Sequence, residues 1–148
     1  VKDNTIYLYH SYVVGSTRET RVLTAPVSDD WPAHLQPRGT AFVQTGLPGC
    51  DSADVKYVED YGLFYAFHTY NRMTASAKIA VWTSTDGISF VYRGDMGGDF
   101  PGGMHNMGVG GDGLGHINLS RQQYVAYAYY GNGNWGNWNT RFAPMYFE

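Results

Sequence analysis

Residues 81–90 read VWTSTDGISF, and the fold turns on whether that stretch is an active site or a turn. Val81 and Thr83 alternate with Ala80 and Trp82, as side chains do along a strand. Asp86-Gly87 then stands between two apolar runs, the strongest short-range hairpin signal. Gly87 supplies a positive φ at little cost. The Asp86 carboxylate, and more weakly the Ser84 hydroxyl, can accept hydrogen bonds from backbone N–H groups across the bend. Ile88 and Phe90 resume the alternation. The stretch therefore reads as a hairpin, and the chain around it as a protein of strands and tight turns.

Working outward, the same unit recurs. IYLYHSY (6–12), LFYAFHTY (63–70) and YVAYAYY (124–130) are aromatic strand patterns at spacings of roughly 55–60 residues. After the first come RVLTAPV, a turn at Ser28–Trp31 and TAFVQTG (40–46). After the second come KIAVWTS, the Asp86-Gly87 turn and ISFVYRG (88–94). After the third come an Asn/Gly loop and TRFAPMYF. A short strand, DVKYVED, precedes the second unit and ends in the turn Asp60-Tyr61-Gly62. That gives the middle unit four strands, the content of one propeller blade. No segment keeps a helical period. We expect an all-β fold of antiparallel four-stranded β-propeller blades, about two and a half to three of them, in one domain spanning residues 1–148. The Gly-rich run from Met96 to Gly115 reads as a long connection between the second and third units.

Composition agrees. The chain holds 13 Tyr, 7 Phe, 4 Trp and 19 Gly, which favours strands and turns over helices. Its formal charge is -3, with basic residues scattered rather than striped, so no nucleic-acid partner and no anionic membrane surface are expected. No apolar run is long enough to span a bilayer. Cys50 is the single cysteine and reads as a small buried hydrophobe. The chain opens on Val rather than Met, so removal of an N-terminal piece is expected.

The middle unit carries a family resemblance. SADVKYVEDYGLFYAFHTY (52–70) followed by KIAVWTSTDGISF (78–90) resembles a blade of the five-bladed β-propeller glycosidases, above all glycoside hydrolase family 43. The turn is similar to their S-x-D-G-x-x-F/W hairpin. The resemblance implies hydrolysis of glycosidic bonds by carboxylates lining a central funnel: a general base, an orienting and pKa-tuning acid, and a Glu as general acid. An inverting pair of this kind stands roughly 6.5–9.5 Å apart. By position Asp54 takes the orienting role. The strand that would hold the general base precedes the first unit, and His105-Asn106-Met107-Gly108, the corresponding stretch of the third, has no Glu. His68 is expected at the funnel, contacting sugar or a metal-bound water, and Tyr70, His105 and Asn106 are further candidates for substrate binding.

Other residues are weighed on their own chemistry. His10 and His68 share a position in their repeats, which also suits a packing role. Trp135 and Trp138 lie among Asn and Gly in GNGNWGNWNTR (131–141). Indole faces there can stack on sugar rings while Asn side chains bond hydroxyls, or both Trp side chains can pack over the blade end. His105 and His116 flank Asp112, but the spacing fits no metal motif, and no cofactor is expected. We expect an extracellular or secreted carbohydrate-active module. Its edges would be completed by further blades of a longer chain or by copies of itself. A non-catalytic glycan-binding or assembly protein of the same fold is the alternative.

Overall fold

The computed structural model describes residues 1–130 and 137–147. Trp135 and Glu148 lie outside them. The described strands are β1 Thr5–Val14, β2 Thr17–Pro26, β3 Gln36–Val43, β4 Asp54–Val58, β5 Leu63–Tyr70, β6 Lys78–Ser84, β7 Val91–Asp95, β8 Met104–Val109, β9 His116–Ile117, β10 Gln123–Tyr130 and β11 Trp138–Met145. Helical content among the described residues is two 3-10 turns, Trp31–His34 and Glu59–Tyr61. The fold is all-β, as expected.

The strands form three sheets, ordered β1-β2-β3, β7-β6-β5-β4-β9 and β11-β10-β8. In the middle sheet β4 to β7 run as one antiparallel meander, and β9 adds a short parallel pairing beside Tyr57 and Val58. The middle unit thus has its four sequential strands. The first and third sheets have three each, so four-stranded sheets throughout are not found, and the described residues close no barrel or propeller ring.

The middle sheet is covered on both faces. Phe64, Ala66, Ala80 and Trp82 pack against Val22, Ala41 and Phe42 of the first sheet. Phe67, Ile79 and Val58 pack against Met104, Val109, Val125 and Tyr127 of the third. Burying each large apolar side chain stabilises the fold by about 1.5–3 kcal/mol. Two covered faces explain why β6 shows no in–out alternation: Ile79, Ala80, Trp82, Thr83 and Ser84 are all buried. The repeat-equivalent histidines part company for the same reason. His68 has the first sheet over it and is fully buried, whereas His10 lies on the uncovered face of the first sheet and is exposed.

The Asp86 turn forms as read. Asp86 Oδ1 accepts from the amides of Ile88 and Ser89 at 2.8 and 2.9 Å, and Ser84 Oγ accepts from those of Asp86 and Gly87. Gly87 sits at φ 71°. This bond set occupies residues 85–89, so β7 starts at Val91 rather than Ile88. β3 is shifted the other way, covering Gln36–Val43 instead of 40–46. Gln44 turns inward to receive the Cys50 thiol and ends the strand. The Gly-rich run from Met96 to Gly115 is more than a connection. It contains β8, which pairs with β10 from Met104 to Val109.

Candidate functional site

The starts of β4, β8 and β11 and the ends of β5 and β10 share one edge of the three-sheet stack. Cross-bonds tie them together there. Met73 N donates to Met104 O at 3.1 Å, Gly103 N to Thr74 O at 2.7 Å, and Tyr130 Oη to Met73 O at 2.7 Å. On the first-sheet side, Gln44 N donates to Arg18 O and Ser11 Oγ to Ser52 Oγ.

Asp51 stands at the centre of this rim and is buried. Its Oδ1 accepts from Arg72 Nη1 at 2.7 Å and its Oδ2 from the Asn106 amide at 2.8 Å. The second bond exists because β8 slips register against β10 between Met107 and His105. Asn106, the extra residue, takes φ 46° and aims its N–H out of the ladder. Asp54 makes a parallel link lower on β8: its Oδ2 accepts from Val109 N at 2.6 Å and its Oδ1 from Lys56 Nζ at 2.5 Å. Both carboxylates tie the middle sheet to the third.

The expected sugar-contacting residues divide. His105 and Trp138 come together at the rim, with ring centroids 4.0 Å apart, and Tyr130 meets Trp138 edge-on at 5.5 Å. Trp138 is half-buried and Asn106 exposed, while His105 lies mostly beneath them. His68 is elsewhere. It is sealed between Phe42 and Trp82, and its Nε2 accepts from the Trp82 indole N–H at 3.1 Å. Burial pulls its pKa down to about 4. Its expected contact with sugar gives way to packing. Tyr70 is buried too, and its hydroxyl donates to Asp95 Oδ1, which also receives Tyr92, while Lys78 holds Oδ2. Tyr70 thus ends β5 at the rim, but its side chain is buried and its hydroxyl is turned to Asp95 of β7. Trp135 lies outside the described residues.

His105, Asp112 and His116 do not converge. His116 bonds Glu59 and the Val1 carbonyl, and Asp112 Oδ1 caps the amides of Leu114 and His116. Among the described residues no group of three or more His, Cys, Asp or Glu is placed to hold a metal ion, and no helix is long and apolar enough to cross a membrane. The reading of the sequence missed Asp51 and Arg72. The signal for Asp51 was an acid three residues ahead of Asp54, just before a strand. Arg72 gave none, because its partner is 21 residues away.

Chemically, the rim brings together the half-buried Trp138 indole, the exposed Asn106, the buried His105 imidazole and carboxylates that are already engaged. Compared with known proteins, the chain matches no family model and no curated protein.

Proposed function

We propose that this chain is a carbohydrate-recognising unit built of propeller-type blades, similar in plan to family 43 glycosidases, with its rim at Trp138, His105 and Asn106 receiving the sugar. The observation that carries the reading is the Trp138–His105 pair. A half-exposed indole held at 4.0 Å and 55° to the His105 ring stands beside the exposed Asn106, a pairing of aromatic and amide groups suited to the apolar face and hydroxyls of a pyranose. Blade architecture is supported by three consecutive sheets stacked face to face, the middle one a four-strand meander.

The state of the carboxylates favours recognition over hydrolysis. Asp51 and Asp54 each hold a cation and a backbone amide, which suits positioning more than proton transfer. The catalytic reading keeps one observation in its favour, the place of Asp54 at the first residue of β4, where the family resemblance puts the orienting acid. A panel of chromogenic glycosides separates the two. The recognition reading predicts no turnover by this chain. Clear turnover that falls at least about a hundredfold in Asp54→Asn would replace it with the catalytic one.

A further inference from the structure

We propose that a cleft beside the rim, between the β1–β2 hairpin and the β3–β4 loop, binds the carboxylate of an acidic sugar through Arg18 and Arg72. The proposal rests on the glycan reading and names a substrate class for it, uronic-acid-bearing saccharides. The cleft has a volume of about 380 Å³, within the range of small-ligand sites and far more than a bare anion fills. Val13, Leu47 and Pro48 give it apolar walls for a sugar ring, and Thr17 and Thr45 supply hydroxyls.

Its charge is what singles it out. In a chain of formal charge -3, two guanidinium groups line this one cleft. Among the described residues no carboxylate comes within ion-pair distance of Arg18. Its charge is still felt at the cleft floor, where it opposes the burial that pushes the Cys50 thiol up. Arg72 gives one nitrogen to Asp51 Oδ1 and keeps other N–H donors of its fork. A guanidinium matches a carboxylate in a planar, two-bond geometry, and a partly enclosed site strengthens that pairing.

The cleft is also built rigidly. Asn71 N donates to Pro48 O at 2.7 Å and Arg72 N to Gly49 O at 3.2 Å, so the two loops are zipped together. Gln44, buried, is pinned by the Cys50 thiol and the Asp51 carbonyl. A preformed site spends little of its binding energy on ordering.

The test is an amide-shift titration of the full chain by NMR with glucuronate and galacturonate, against glucose, galactose, acetate and inorganic phosphate. The uronates should move the amides of Thr45, Gly46, Gly49 and Arg72 saturably. Their affinity should exceed that of the neutral hexoses and the two simple anions by about tenfold or more. Arg18→Gln should lower uronate affinity by a similar factor while the spectrum stays folded, and Arg18→Lys should recover part of it. Equal binding of glucose, acetate or phosphate, no shift with either uronate, or an unchanged affinity in Arg18→Gln overturns the proposal. If uronates fail while neutral oligosaccharides still bind at Trp138, this inference alone falls. If both fail, the glycan reading falls with it.

Discussion

Burial holds His68 neutral, and that has a consequence for pH. The unfolded chain takes up this proton near pH 6.5 and the folded one only near pH 4, so between those values unfolding binds a proton. Stability from this residue is complete above about pH 6.5, falls as the pH drops, and levels off below about pH 4. The loss amounts to about 3 kcal/mol. In His68→Gln a side-chain oxygen can still accept from the Trp82 indole, but the titration is gone. Urea midpoints measured across this pH range should fall less steeply in the variant. An identical slope would mean that another group carries the acid sensitivity. The same residue shows where the sequence misleads. Its place in an aromatic repeat was legible, but its solvent access was not, because that depends on Phe42, which arrives from another sheet.

At the scale of elements, the hairpin after β6 was legible almost atom by atom, since the bonds of its Asp86 and Ser84 side chains join residues within a few positions. Asp86 and Ser84 bind the amides that the Asp-Gly pattern exposes. What the pattern could not convey is how closely that turn is embraced. A Cβ on Gly87 would stand 2.8 Å from Tyr7 Cε1 and 2.9 Å from Phe64 Cζ, and Tyr9 Oη donates to its carbonyl. Gly87→Ala therefore adds a steric conflict to a left-handed φ of 71°. We expect it to cost about 2–4 kcal/mol, read as a lower urea midpoint; a change under about 0.5 kcal/mol would show that the neighbouring rings yield freely. β8 is the opposite case. MHNMGV carries Gly and Asn and little β-branching, so its local propensity is poor. It becomes a strand because β10 offers a ladder and the Asp51 and Asp54 carboxylates take up the amides of Asn106 and Val109. Those partners are distant in sequence, and so were the rim contacts that they build.

At the scale of the whole molecule, no further sheet among the described residues covers the outer face of the first sheet or of the third. Leu8, Tyr12 and Val14 are 39%, 44% and 49% exposed on one, and Tyr124 and Phe142 are 48% and 74% exposed on the other. Apolar rows on two opposite faces favour head-to-tail stacking of copies. Light scattering on a sizing column should give a mass above the 16.5 kDa of one chain, and Phe142→Lys with Leu8→Lys should return it to that value. A single-chain mass for the unaltered protein would contradict self-stacking. The role proposed for the rim does not depend on that outcome, since Trp138, His105 and Asn106 come from β8 and β11 of a single chain. The measurement that bears most directly on it is a calorimetric titration of the chain with oligosaccharides released from plant and microbial polysaccharides. Saturable heat at one site is expected for at least one of them, lost in Trp138→Ala. An absence of heat across the panel, or binding that survives the loss of Trp138, would contradict it.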